Sequence, residues 1–172
     1  TMTTLQALVA PLEAALRTIV AGLPAATRDA TAFTVALSCS DVPDVVRVAV
    51  NGADVTILVG DGSAHMRLTA DMATFGELLQ TGNVRFVTDP ITRGKVAALK
   101  QVRGLLRLTF NEGGELSVAF SDMRDPEAVV ALSKRDALGL LAGTLNPQMA
   151  VMTGRMRIVS GMNFLLSLDR IM

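Results

Sequence analysis

The chain has no tryptophan and no tyrosine, and only six phenylalanines among its 172 residues. Sequence-tolerant binding of single-stranded nucleic acid stacks bases on aromatic rings, so this scarcity removes the platform. Charge of one sign is missing as well. Sixteen basic residues face sixteen acidic ones, for a net charge of zero. A phosphate-binding surface needs clustered Lys and Arg, so nucleic acid is not an expected partner. Cys39 is the single cysteine, which rules out an intramolecular disulfide and fits a reducing compartment. His65 is the single histidine, which leaves little for a His-based metal site or a Ser-His-Asp arrangement. No apolar run reaches the ~18 residues of a membrane span. The first residues lack the basic start and small-residue cleavage site of a secretory signal, so a cytoplasmic protein is expected.

What is abundant is aliphatic. Half of the residues are apolar, and nine are methionine. Methionine is flexible, fills irregular space and lines sites that accept variable ligands. The length suits one domain over residues 1–172.

Residues 4–21 place Leu5, Leu8, Val9, Leu12, Leu16, Ile19 and Val20 at the three-four spacing of an amphipathic helix. Pro11 predicts a kink or a late start, and Gly22 with Pro24 an end. Period-two alternation follows around Phe33–Leu37, Val46–Val50, Val55–Val59 and Met66–Leu68, with Asn51-Gly52 as a hairpin turn. This predicts an antiparallel meander with one wet face. Asp71 is placed to cap a helix through Thr81, with Gly82 closing it. Val84 and Phe86 read as a strand with Arg85 outward. Asp89 and Pro90 then read as the cap and first position of a helix to about Arg103, with Ile91, Val96, Leu99 and Val102 inward.

The second half restarts the plan. Strands are expected around Leu106–Phe110, Leu116–Phe120 and Ala128–Leu132. Ser133 with Asp136 resembles a capping box, and Gly143 should end that helix. A strand of Arg155, Met156, Arg157, Ile158 and Val159 precedes a closing helix. The local match between Phe75–Val87 and Leu138–Leu145 plus Arg155–Val159 suggests two pseudo-repeats. The first spans about 24–103 after the helix 4–21, and the second about 104–172. In that alignment the helix Thr92–Arg103 corresponds to Met162–Ile171. The expected fold class is α/β of the α+β type: a curved, mainly antiparallel sheet covered by helices.

Catalytic chemistry has little to stand on. His65 sits beside Arg67 on a polar strand face and reads as a surface histidine. Cys39 has no activating partner in sequence and reads as a structural thiol. Gly60-Asp61-Gly62 lacks a following Lys or helix start, so it reads as a turn and not a phosphate cradle. Asp41, Asp44 and Asp54 lack metal-ligand spacing. The chain is therefore expected to be non-enzymatic, with no metal and no cofactor.

The tail from Asp136 to Met172 is the exception. Met162, Phe164, Leu165, Leu166, Leu168, Ile171 and Met172 predict a helix apolar on nearly every side, which needs burial on every side. Its second apolar partner is a ligand, a second subunit as in a homodimer, or the first repeat. Gln148 and Asn163 are the nearby polar groups able to orient a ligand's head, or to bond loop backbone.

The stretch L-L-A-G-T-L-N-P-Q-M-A-V-M-T-G-R-M-R-I-V-S-G-M, Leu140–Met162, resembles the sterol carrier protein type-two family. The likeness lies in the small-residue helix end, the Asn-Pro-Gln turn, the Gly before a basic-apolar strand and the Gly-Met that opens the last helix. It extends over Leu105–Met172, and weakly over Val45–Arg103. The resemblance implies a tunnel between sheet and helices for fatty acyl chains, sterols or similar lipids, hence binding or transfer of a hydrophobic ligand. It implies that the helix Ala137–Ala142, the loop Met149–Met152 and the final helix line that tunnel. Phe120 would face the ligand from the sheet, Leu138, Leu141 and Leu145 from the helix and its end. Gln148, Met149 and Met152 would do so from the loop, with Met149 and Met152 at the mouth. Met156 comes from the strand, and Met162, Leu165 and Leu168 from the final helix. Similar domains also serve as accessory interaction modules in bacterial lipid- or quinone-modifying systems, where the apolar tail would bury against another chain.

Overall fold

The computed structural model describes residues 4–80 and 84–171. Thr81, Gly82 and Met172, named above as helix end, helix stop and apolar terminus, lie outside them.

The amphipathic N-terminal pattern forms two helices, α1 (Thr4–Leu8) and α2 (Ala10–Gly22), broken just before Pro11. Proline supplies no N–H and favours the first turn of a helix, so the late start follows. Leu5, Val9, Leu12 and Leu16 are fully buried, as the spacing requires. A short exposed helix, α3 (Ala25–Ala30), leads into the meander β1 (Ala32–Cys39), β2 (Val45–Asn51) and β3 (Asp54–Val59). Strand β4 (Met66–Ala70) runs parallel to β1, and α4 (Met72–Gln80) follows. The Asp71 carboxylate accepts from Thr74 N at 2.7 Å, which is the expected N-cap.

The segment after α4 differs from expectation. Val84–Phe86 is not a strand. Arg85 to Thr92 form α5, with Pro90 inside it and Asp89 in its body instead of at its cap. The reason is burial. Phe86, Val87, Pro90 and Ile91 occupy i, i+1, i+4 and i+5, one stripe of a helix, and all four are buried. Tertiary packing overrides the strand propensity of the valines and phenylalanine. The single helix expected to Arg103 is also interrupted, by a turn through Gly94 (φ 67°), and resumes only as α6 (Val96–Lys100). Ile91, Leu99 and Val102 still point inward.

The second half is β5 (Gly104–Phe110), β6 (Glu115–Phe120), β7 (Glu127–Leu132), α7 (Lys134–Ala142), α8 (Pro147–Met152), β8 (Met156–Ser160) and α9 (Met162–Ile171). The strands join one eight-stranded sheet in the order β3-β2-β1-β4-β6-β5-β7-β8. Pairing is antiparallel except for β1 with β4 and β5 with β7. The α+β class and the mainly antiparallel sheet agree with the reading of the sequence. Two strand triplets, β2-β1-β4 and β6-β5-β7, share one plan: a hairpin, then a third strand parallel to the first. The proposed alignment of Arg85–Val87 with the strand at Arg155–Val159 fails, because the former is helix. The pairing of helix Thr92–Arg103 with α9 fails with it.

One sheet face holds Val35, Leu37, Val46, Val48, Val118 and Val130, buried beneath the helices. The other face has small and polar residues overlaid by arginines. Ala36 is fully buried there, in register with Arg47 on one side and Arg67 on the other. Arg67 pairs with Asp122 at 2.8 Å and Asp61 at 3.1 Å, and Arg107 with Glu115 and Glu127.

The two halves of the covered face are filled differently. Over β1–β3, helices α1 and α2 pack their leucines directly onto the sheet. Over β4–β8 the helices stand off.

Candidate functional site: an apolar cavity over the second half of the sheet

The floor of the gap comes from alternate residues on one face. Met66 and Leu68 of β4 register with Phe120 and Val118 of β6. Leu106 and Leu108 of β5 continue the row to Val130 of β7, which pairs with Ile158 of β8. All of these line a cavity of about 740 Å³. That size falls within the roughly 300–1,000 Å³ typical of small-molecule sites. The roof is Phe86 and Pro90 of α5, Leu140 and Leu141 of α7, Pro147, Gln148 and Val151 of α8, and Leu165 and Leu168 of α9.

Helix α9 is pinned at its N-terminal end. Gly161, just before it, has φ 80° and no room for a side chain. A Cβ there would stand 2.4 Å from Glu127 O and 2.5 Å from Ala128 Cα. A residue with a side chain would hold the helix off the sheet. Three residues on, Phe164 crosses Gly104, where an added Cβ would meet its ring at 2.7 Å, and lies edge-on to Phe120 with ring centroids 6.3 Å apart. Beyond this anchor, Leu165, Leu168 and Ile171 face the cavity.

Helix α7 is set by Ser133, whose Oγ accepts Asp136 N–H at 3.0 Å, and ends at Gly143 in the left-handed region. The expected capping box is only half formed, because the Asp136 carboxylate turns to Arg155. The guanidinium meets it in a fork, at 2.6 and 3.3 Å. These hydrogen bonds hold the Asp136 carboxyl below its ordinary range. The pair ties the start of α7 to the turn between α8 and β8. Asn146 caps α8 by accepting Met149 N–H at 3.1 Å.

Of the positions named from sequence, Phe120, Leu141, Leu145, Gln148, Met156, Met162, Leu165 and Leu168 stand on the cavity wall. Leu138 does not. It is half-buried, one turn earlier on α7, and packs against the core. Met149 and Met152 do not line the cavity either, and are 55% and 79% exposed. The segment expected to be a loop is a helix, and its period decides the outcome. Pro147, Gln148 and Val151 share the inward face, whereas Met149 and Met152 fall on the outward one. Of α8, only the inward set stands on the cavity wall. Asn163 points outward and is absent from the wall. Helix α9 is not buried all round: Phe164 and Leu168 are buried, but Met162 and Leu166 are each 49% exposed. Asn163, Ser167 and Arg170 share its outer side, which makes it an ordinary amphipathic helix.

The sequence reading missed the contribution of α5. Arg85, Phe86, Asp89, Pro90 and Arg93 all line the cavity, as does Lys95 after it. The 86/87/90/91 stripe was the available signal. Arg85 and Arg93 share Asp89, at 3.2 and 3.8 Å, and Arg85 also reaches Gly143 O at 3.4 Å.

The chemistry-bearing residues are spent elsewhere. His65 is not a surface histidine. It precedes β4, stacks on Phe33 at 5.7 Å, and its Nδ1 accepts Thr34 N–H at 3.0 Å. Burial lowers its pKa, with Lys100 adding to the effect, so it is neutral at pH 7. The Cys39 thiol is pushed up to about 11 by burial and by Asp41, Asp44 and Asp71. Asp61–Ser63 border an open depression where Arg67 bonds Asp122, Ser38 and the Gly62 carbonyl. Among the described residues, no three His, Cys, Asp or Glu side chains stand together as a metal site.

The second half of the sheet, with β4 and the helices above it, thus borders an apolar cavity between sheet and helices. Residues 92–172 match the SCP-2 sterol transfer family, so this stretch is an SCP2-like domain. No curated protein matches the chain. The cavity extends beyond the matched stretch, taking Met66 and Leu68 from β4 and Arg85, Phe86, Asp89 and Pro90 from α5. Among the described residues no helix is long and apolar enough to cross a membrane.

Proposed function

We propose that the protein binds or transfers a hydrophobic ligand, fatty acyl, sterol or another lipid, held without catalysis in the cavity under α5, α7 and α9. The observation that carries this reading is the cavity itself, apolar over its whole floor and lined in large part by a stretch that matches a sterol transfer family. Burial of an acyl chain at about 0.8 kcal/mol per CH₂ supplies affinity without a reacting group. Native mass spectrometry of freshly purified protein tests it, together with a chain-length series of saturated fatty acids. Co-purified lipid is expected, with binding tightening about fourfold per added CH₂ until the cavity is full. A bare mass and no dependence on chain length would overturn the reading. Met156→Asp should abolish binding or folding, and Leu165→Ala should weaken binding with milder damage.

The shared plan of the two strand triplets supports a duplicated ancestry, with the cavity lying over the second triplet and β4 of the first. The outward methionines favour one alternative. Met149 and Met152 of α8 are exposed apolar side chains, and Met162 and Leu166 at the cavity wall are each half exposed, which suits contact with a second copy or a partner protein. Light scattering on the ligand-free protein separates the two readings, since a strict monomer speaks against dimerisation.

A further inference from the structure

The wall of the cavity is not equally thick all round. On α5, Phe86 and Pro90 are buried, and the helix is backed by α2 and α7. On α9, Leu168 is buried, and the start of the helix is pinned by Phe164 and by the close approach at Gly161. The stretch between α7 and β8 is different. Of residues 143–155 only Ala150 is buried. Gly143, Thr144, Asn146, Pro147, Gln148 and Val151 line the cavity and are exposed at the same time. Here the wall is one layer of chain, with the cavity on its inner side and solvent on its outer side.

The bonding of this stretch is as sparse as its burial. Thr144 and Leu145 donate their N–H groups to Gly139 O, Asn146 caps α8, and Thr153 Oγ1 donates back to Met149 O at 2.7 Å. Among the described residues, no hydrogen bond made by residues 144–154 reaches beyond 139–155. Both ends, by contrast, are tied down. Gly143 O accepts from Arg85 at 3.4 Å, and Arg155 holds Asp136 in its fork. A left-handed glycine stands at each end, Gly143 and Gly154, both with φ 76°. Glycine passes between backbone regions at low cost, and hinges are short segments that absorb such a change. Local opening is easiest where few apolar contacts and only local hydrogen bonds are lost.

We propose that residues 144–154 are the gate of the cavity. The strap swings on Gly143 and Gly154 while Arg85 and the Asp136–Arg155 pair hold its two ends, and the ligand passes beneath α8. This rests on the hydrophobic-ligand reading above and adds the route by which that ligand enters and leaves. The competing route is the C-terminal end of α9, the end remote from the anchor at Gly161.

The test is stopped-flow exchange of Nile red, a neutral solvatochromic dye, with the intact chain and two matched variants. Met149→Gly loosens α8, and Arg170→Gly loosens the end of α9. Both side chains are exposed and off the cavity wall, so neither change removes a contact with the dye. Each places one glycine in a helix, which favours local opening by about fourfold. In Met149→Gly the association and dissociation rates should rise together by about that factor, with Kd unchanged, because a gate alters the path and not the bound state. Arg170→Gly should exchange dye at the wild-type rates. Hydrogen exchange gives a second readout: the amides of 144–154 should exchange fast in the free protein and slow down when dye fills the cavity. If Arg170→Gly accelerates exchange and Met149→Gly does not, the route lies beneath α9 and the proposal is overturned. If Met149→Gly raises the dissociation rate alone, α8 is a fixed wall and the proposal is equally wrong. Wild-type rates in both variants would also overturn it. If Nile red does not bind wild type at all, the hydrophobic-ligand reading itself fails.

Discussion

The replacement of Gly161 by alanine should be the most damaging single-methyl addition near the cavity. Two costs arise together. The backbone at φ 80° is left-handed, which costs an L-residue about 1–2 kcal/mol. The new Cβ would also stand 2.4 Å from Glu127 O and 2.5 Å from Ala128 Cα. Both are backbone atoms of β7, so no side-chain rotation relieves the clash, and overpacking of this kind costs about 1–3 kcal/mol more. The total is roughly 2–5 kcal/mol. Gly154 provides the control. Its φ is 76°, but nothing lies within 4 Å of an added Cβ, so Gly154→Ala carries the backbone cost alone. Urea denaturation of wild type and both variants gives the comparison, with midpoints read at unchanged slope. The apolar dye should bind more weakly to Gly161→Ala, because α9 is lifted from the sheet, and normally to Gly154→Ala. Equal stability losses for the two variants would refute the claim that contact with β7 fixes α9.

Leu12→Ala, in the filled half, should cost about 2–5 kcal/mol by thermal or urea melting, because a fully buried leucine leaves a void. Leu141→Ala, on a wall that already borders open space, should cost less than about 1.5 kcal/mol, and a loss equal to that of Leu12→Ala would contradict the cavity. Cys39 should react with a disulfide reagent at pH 8 about tenfold more slowly than an ordinary thiol of pKa 9.0, since the smaller thiolate fraction of a group at about 11 is partly offset by its greater nucleophilicity, and fast labelling of folded protein would contradict this. The Asp136–Arg155 pair contributes stability above the ordinary carboxylate pKa of 3.8, and loses it as pH falls through the lowered folded-state value. Asp136→Asn should therefore be less stable than wild type at neutral pH and converge with it in acid. Parallel stability curves across that range would show the pair to be inert.

Strands were legible because the sheet has one wet face. Alternation in Phe33–Leu37, Val46–Val50 and Leu116–Phe120 states directly which side is covered. Caps were legible for a similar reason: Asp71, Ser133 and Gly143 each act within four residues of themselves. The segment α5 was not. Val84 and Phe86 alternate like a strand, and Pro90 argues against a helix interior, so only burial against α2 and α7 decides the matter. Six of the named cavity residues, Leu141, Leu145, Met156, Met162, Leu165 and Leu168, were legible as apolar positions in the tail. The outward turn of Met149 and Met152 was not, because a six-residue segment has too few turns to show a period. The cavity itself has no local signature. It depends on how far α7 and α9 stand from the sheet, and for α9 glycines at 104 and 161 set that distance through contacts with residues remote in sequence.

The arginine-overlaid side of the sheet has a consequence for behaviour at high concentration. A net charge of zero provides no long-range repulsion between molecules. Eight strands with one uncovered face would otherwise offer a broad, flat template for self-association. What separates two such faces is therefore short-ranged: ion pairs of Arg67, beside Ala36, and of Arg107, on β5. Colloidal stability rests on that thin ionic coat. Loss of its arginines would cause clouding of the solution before it caused unfolding.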